Sequence, residues 1–98
     1  METLKDLINS PIPVLVDFYA DWCLPCKTMS STLLEVKKVQ SDNIRIIKIN
    51  VDKNRPTALK YSIQSIPTLM IFKNGKQVWR QSGVLSSNEL NRIIDMFK

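Results

Sequence analysis

The chain has 98 residues, which is enough for one domain with a single core and too few for two. It has no histidine, two glycines and two cysteines, which excludes histidine-dependent nucleophiles, glycine-rich nucleotide loops and a four-thiolate metal site within one chain. Its net charge of +5 comes from lysines and arginines spread along the chain without interleaved aromatics, so we predict a solvated surface and no nucleic-acid partner.

The first half of the chain alternates between helical and extended patterns. Apolar residues over 4–8 have the spacing of a short amphipathic helix, which two following prolines end. The run 14–19 is apolar on both faces, as is typical of a central parallel strand. A long helix is predicted over 23–40. A second strand, again buried on both faces, is predicted over 44–51.

The second half begins with a short helix over 56–61 and a strand over 68–72. Asn74-Gly75 predicts a tight hairpin turn, after which the mixed segment 78–84 returns as an antiparallel edge strand. Ser86 and Glu89 have the spacing of a capping box for a last helix that runs to the C-terminus. The order α-β-α-β-α-β-β-α predicts one α/β domain over 1–98, with a mixed sheet and helices on both faces.

Cys23 and Cys26 lie where the first strand meets the long helix. The free N–H groups and the dipole of a helix N-terminus favour a thiolate, so we expect the pKa of Cys23 to lie below its usual value. Cys23 can attack a target disulfide while Cys26, on the buried stripe, resolves the mixed disulfide. A passive disulfide is the weaker interpretation, because a bridge between residues this close closes almost no loop.

Asp17 interrupts an otherwise apolar strand, and burial there would raise its pKa towards neutrality. It could exchange a proton with Cys26 through water. Equally, it could be a structural carboxylate, hydrogen-bonded in the core or paired with Lys48. Pro67 stands at the entrance of a strand, where base rates favour an ordinary trans peptide bond over a cis one.

Three segments in register resemble the thioredoxin family. They are Val-Asp-Phe-Tyr-Ala-Asp-Trp-Cys-Leu-Pro-Cys-Lys at 16–27, Lys-Ile-Asn-Val-Asp at 48–52 and Ile-Pro-Thr-Leu-Met-Ile-Phe-Lys-Asn-Gly at 66–75. Order and spacing agree from about residue 11 to the end of the chain. The resemblance implies a thioredoxin-like fold and thiol–disulfide chemistry.

The resemblance also implies roles for single residues. Cys23 matches the exposed nucleophile and Cys26 the buried resolving thiol. Asp17 matches the aspartate that assists proton transfer at the resolving cysteine, with Lys48 as its neighbour, and Pro67 matches a cis-proline facing the disulfide. The residues implied at the substrate-binding rim are Trp22, Leu24, Pro25, Ile66, Pro67, Gly83 and Val84.

The chain also departs from the family in four places, one of which is Ser65, in place of a common glycine before Ile66-Pro67. Leu24 stands where glycine is usual, in a dipeptide that tunes the redox potential. Ser31 replaces a proline that kinks the long helix, so we expect a straighter helix. The usual strand before the first helix is missing, which predicts four strands instead of five and leaves 44–51 near an open edge.

We therefore expect a general reductase of protein disulfides that takes its electrons from a thioredoxin reductase. We also expect a cytoplasmic monomer without a cofactor, a metal or a membrane segment. A disulfide oxidase or isomerase on the same fold is an alternative, although such relatives tend to carry a histidine between the cysteines. A docking module without turnover is another, and a metal site shared between two chains is a third.

Overall fold

The computed structural model describes residues 3–98, and Met1 and Glu2 of the predicted domain 1–98 lie outside the described residues. The elements are α1 (Leu4–Ile8), β1 (Val14–Tyr19), α2 (Leu24–Gln40), β2 (Arg45–Asn50), α3 (Arg55–Lys60), β3 (Thr68–Lys73), β4 (Lys76–Ser82) and α4 (Ser87–Asp95). A turn of 3-10 helix, Ser41–Asn43, follows α2. Within residues 3–98, none of the helices combines the length and apolar composition needed to cross a bilayer.

The four strands form one mixed sheet in the order β2-β1-β3-β4. β1 is parallel to β2 and antiparallel to β3, and β3 and β4 form the predicted hairpin. Successive side chains of a strand point to opposite faces, so β1 contributes to two cores. Leu15 packs with residues of α2 and α4, whereas Val14, Val16 and Phe18 pack with Ile8 of α1 on the other face. The predicted four-stranded α/β architecture is confirmed.

The strand β2 differs from its prediction in one respect. The run 44–51 was expected to be buried on both faces, but Arg45 and Lys48 are exposed, and Ile46, Ile47 and Ile49 are only half-buried. The reason is topological, because β2 has a neighbour on one side only. The prediction that this segment lies near an open edge of the sheet is confirmed for the described residues.

Most element boundaries also differ from their predictions by one to three residues, and three of them bear on the site or on the ends of the chain. Helix α2 begins at Leu24 with Cys23 as its N-cap residue, and it continues unbroken through Ser31 for 17 residues. Strand β4 ends at Ser82, so Val84 lies beyond it. Helix α4 ends at Asp95, short of the C-terminus.

The start of α4 allows a first test of the fold. Ser86 Oγ accepts a hydrogen bond from the Glu89 N–H at 3.1 Å, and Glu89 Oε1 accepts one from the Ser86 N–H at 3.3 Å. Ser86→Ala removes this capping box, so we expect the free energy of unfolding to fall by about 1 kcal/mol in urea titrations. Ser87→Ala, one residue into the helix, is the matched control and should change it by only a few tenths of a kcal/mol. Equal effects would contradict the assignment of the cap.

Candidate redox site

The site is built on the N-terminus of α2. Cys23 is the N-cap residue, and its Sγ accepts a hydrogen bond from the Cys26 N–H at 3.2 Å. Pro25 occupies the first turn, where no backbone N–H is needed. Cys23 and Cys26 form a disulfide, with their Cα atoms 5.2 Å apart. In the reduced protein, the same N–H and the helix dipole favour a thiolate at Cys23.

The expectation of one exposed and one buried cysteine is wrong for the oxidised protein described here. The exposed fraction is 3% for Cys23 and 2% for Cys26. Both pack with Ala20, and the half-buried Ile66 covers them. The Ile66 carbonyl oxygen lies 3.9 Å from Cys23 Sγ. The two cysteines are therefore distinguished by their neighbours and not by their exposure.

Two large apolar side chains flank the disulfide and face the solvent. Trp22 is 70% exposed and Leu24 is 73% exposed, although both adjoin buried Cys23. The Trp22 indole Nε1–H donates a hydrogen bond to Asp52 Oδ2 at 2.8 Å, which fixes the ring. Exposed apolar side chains held in place beside a reactive group are suited to contacting another protein.

The loop before β3 brings a second group of predicted residues to the disulfide. The Ile66–Pro67 peptide bond is cis. The resemblance to the family implied a cis bond, whereas base rates favoured a trans bond. The Pro67 carbonyl oxygen accepts a hydrogen bond from the Gly83 N–H at 2.8 Å. Gly83 has a φ of 98°, which side chains other than glycine rarely adopt. This turn directs the chain past Pro67 and leaves Val84 exposed.

Asp17 lies in β1 on the face that α2 covers, and its exposed fraction is 0%. Neither carboxylate oxygen has a hydrogen-bond partner in the described residues. Lys48 is its register partner on β2, but the one side-chain ion pair within residues 3–98 joins Asp95 to Lys98. Within the described residues, Asp17 therefore has neither a hydrogen bond in the core nor an ion pair with Lys48. Burial raises the pKa of Asp17 to about 6, and the Lys48 ammonium opposes part of that rise.

Lys48 instead contacts α2 and β1. Its Nζ donates a hydrogen bond to Ser30 Oγ and lies 4.8 Å from the centroid of the Tyr19 ring. These contacts lie in a cleft of about 180 Å³. The cleft is lined by Tyr19, Ala20, Asp21, Cys26, Lys27, Ser30 and Lys48. Cys26 thus lines a cleft that also contains Lys48, whereas Cys23 lies beside the Ile66 carbonyl.

Comparison with known proteins decides the family. The family model named Thioredoxin matches residues 2–96. The chain belongs to the thioredoxin family. It is 42% identical to the thioredoxin of Rickettsia conorii over 86 residues, covering 88% of this chain and 82% of that protein. It is 41% identical to thioredoxin 1 of Synechococcus elongatus over 91 residues, covering 93% and 85% of the two chains.

Solved structures agree with these sequence relatives. The X-ray structure of Fasciola hepatica thioredoxin superimposes with a TM-score of 0.87 at 34% identity, covering 97% of this chain and 91% of that one. Family membership and the Cys23–Cys26 pair make this thioredoxin-family protein a thiol–disulfide oxidoreductase. As in the family generally, its substrates are disulfides and its partner is a reductase.

Three residues of this thioredoxin site were not predicted from the sequence. They are Tyr19 and Ser30, which contact Lys48, and Asp52, which accepts the Trp22 hydrogen bond. Ser30 could have been found from the sequence, because it follows Cys26 by four residues and therefore lies on the same face of a helix. Asp52 lies two residues after β2, but nothing in the sequence indicates which side chain it contacts.

Proposed function

We propose that this protein reduces protein disulfides, with Cys23 as the nucleophile and Cys26 as the resolving thiol. The Cys23 thiolate attacks one sulfur of the substrate disulfide, whose other sulfur leaves as a thiolate. The Cys26 thiol then loses its proton and attacks Cys23 Sγ. The second substrate sulfur leaves as a thiolate, so the two electrons given up in forming the Cys23–Cys26 disulfide are now on the two substrate thiolates. The carrying observation is the Cys26 N–H directed at Cys23 Sγ from the N-terminus of α2.

Asp17 is the proposed acceptor for the proton of Cys26, and Lys48 supplies a positive charge beside both groups. A carboxyl group with a pKa of about 6 is mostly ionised at neutral pH, yet it binds a proton far more readily than an ordinary aspartate. Asp17 has no hydrogen-bond partner in the described residues that would hold the ionised form. Its isolation in the sheet under α2 supports a role in proton exchange.

The proposed substrate-binding surface surrounds the disulfide. An extended substrate segment would pair with the backbone at Ile66, which already lies against Cys23 Sγ. The exposed apolar side chains around the disulfide would contact the side chains of the substrate segment. Such apolar contacts do not require one particular substrate sequence, which favours a general reductase. The residues proposed for this surface are Trp22, Leu24, Pro25, Ile66, Pro67, Gly83 and Val84.

We further propose a single domain over 1–98 that acts as a monomer in the cytoplasm, with a thioredoxin reductase as its electron donor. The relatives support the domain, because matches of 86 and 91 residues cover 82% and 85% of them. The cytoplasm supplies the reducing conditions in which a dithiol is returned to its active form. No cofactor is required, because both electrons are carried by the two sulfurs.

The reduction potential of the Cys23–Cys26 couple tests the direction of this chemistry. We expect about −270 mV by equilibration against a defined dithiol buffer, the range of a disulfide reductant. Leu24→Gly is the matched variant and reports how far Leu24 moves the potential. A wild-type value between about −180 and −120 mV would instead indicate an oxidase or isomerase.

A further inference from the structure

Lys48 extends from an edge strand, yet its ammonium is held in one place. A lysine side chain has considerable rotamer freedom and normally loses it only where it gains partners. Here the ammonium has two, the Ser30 hydroxyl on α2 and the face of the Tyr19 ring on β1. Ser30 is the only one of the two that binds Lys48 through a directed hydrogen bond.

Ser30 and Cys26 occupy the same wall of the cleft. They are four residues apart in α2, so they lie one above the other on one face of the helix. Both line the cleft of about 180 Å³ that also contains Lys48. A hydrogen bond from Lys48 to Ser30 therefore keeps the positive charge on the side of the cleft where Cys26 must lose a proton.

We propose that Ser30 is a positioning residue for the resolving step, holding the Lys48 ammonium in the cleft beside Cys26. The inference rests on the proposed function of Cys26. A cation held there favours the thiolate of Cys26 over its thiol. Without the hydroxyl acceptor, the exposed lysine moves into bulk water, where its charge is hydrated and acts weakly on the cleft.

Other charged groups around Lys48 do not replace Ser30. Lys27 is the second cation of the cleft, but its contacts within residues 3–98 include no hydrogen bond or ion pair from its side chain. In the described part of the chain, no aspartate or glutamate side chain forms an ion pair with Lys48. The titratable groups that face Lys48 are Tyr19 and Asp17 from β1, Asp21 from the following loop, and Cys26 and Lys27 from α2.

The resolving step can be observed separately from the first attack. The reduced protein is mixed with one equivalent of dithiobis(nitrobenzoate), an aromatic disulfide that releases a coloured thiolate. Attack by Cys23 releases the first thiolate at a rate that depends on reagent concentration. Attack by Cys26 on the mixed disulfide releases the second at a rate that does not. Stopped-flow traces from pH 5 to 9 give both rates.

We expect Ser30→Ala to slow the second phase about three- to fivefold near pH 7 and to move its pH midpoint up by about half a pH unit. The first phase should not change. Ser30→Thr, which keeps the hydroxyl, should restore the second phase. Ser31→Ala is the matched control, because Ser31 is the exposed neighbour outside the cleft. Alanine favours a helix, so both alanine variants should fold, which circular dichroism verifies.

A double-mutant cycle with Lys48→Met separates positioning from an unrelated effect of Ser30. If Ser30 acts through Lys48, the double variant should be no slower than Lys48→Met alone. The proposal would be overturned if the double variant slowed the second phase by the product of the two single effects. It would also be overturned if the pH profile of Ser30→Ala were identical to that of the wild type. A wild-type protein without any concentration-independent phase would instead refute the proposed roles of Cys23 and Cys26, whatever Ser30 does.

Discussion

Replacing Cys23 with serine is expected to lower the rate of protein-disulfide reduction at least about a thousandfold, because the hydroxyl cannot attack a disulfide. Cys26→Ser should stop turnover as completely but for a different reason. Its Cys23 still attacks, and the mixed disulfide then persists because no second thiol resolves it. Mass spectrometry of each variant after exposure to a disulfide-containing protein should show a covalent adduct for Cys26→Ser and none for Cys23→Ser.

The Cys26→Ser variant is the control for folding, since it differs from Cys23→Ser only in which sulfur it keeps. The reversed result, with adducts only on Cys23→Ser, would exchange the two assigned roles. A Cys23→Ser protein that kept full biological activity would favour the docking-module interpretation, because that function needs no nucleophile. The structure supports the proposed assignment because, in the described residues, Cys23 Sγ accepts an N–H of α2 and lies beside the Ile66 carbonyl.

Asp17→Asn is expected to raise the free energy of unfolding by about 3 kcal/mol at pH 8. The pKa of Asp17 is about 6 in the folded protein, against 3.8 in an unfolded chain. The folded state therefore binds the proton more tightly. The stabilisation from this tighter proton binding is complete below pH 3.8 and is lost as the pH rises through 6. Asparagine has no charge to bury, so it avoids that loss.

Urea titrations of both proteins at several pH values provide the measurement. The stability difference should be close to its full size at pH 8, about half developed near pH 5, and nearly absent at pH 3.8 or below. The same variant should slow the concentration-independent phase of disulfide exchange, since the proposed proton acceptor is gone. A difference that is independent of pH would show that the pKa of Asp17 is the same in the folded and unfolded chains, and would contradict the rise caused by burial.

The local patterns of the sequence predicted most of the fold. Alternation and apolar runs located all four strands, and the Ser86–Glu89 spacing gave the start of α4. The same patterns could not show which of two similar strands is central in the sheet and which lies at its edge. Segments 14–19 and 44–51 are both apolar runs, yet one is central and the other lies at the edge. Position in a sheet depends on strands far away in the chain, and no run of residues encodes it alone.

For the site too, some features were predicted from local sequence and others were not. Cys23, Cys26 and Pro67 were predicted from short motifs, because helix starts and strand entries are local features. The surroundings of Asp17 were not, and its two interpretations stayed even until the register with β2 was known. A lone acid in one strand and a lysine in the next suggested an ion pair. The lysine's partners come from α2 and an aromatic ring instead, which is a matter of three-dimensional packing.

The edge position of β2 has a consequence for self-association. A parallel strand uses alternate residues to pair with its neighbour, so the N–H and C=O groups of Ile46 and Lys48 point away from β1. Such groups invite a second molecule to add its own strand. The exposed charges of Arg45 and Lys48 counter this, because cations on an edge disfavour the approach of an identical edge. The Lys48 charge that is proposed to act in the cleft is thus also one of the two charges on this open edge.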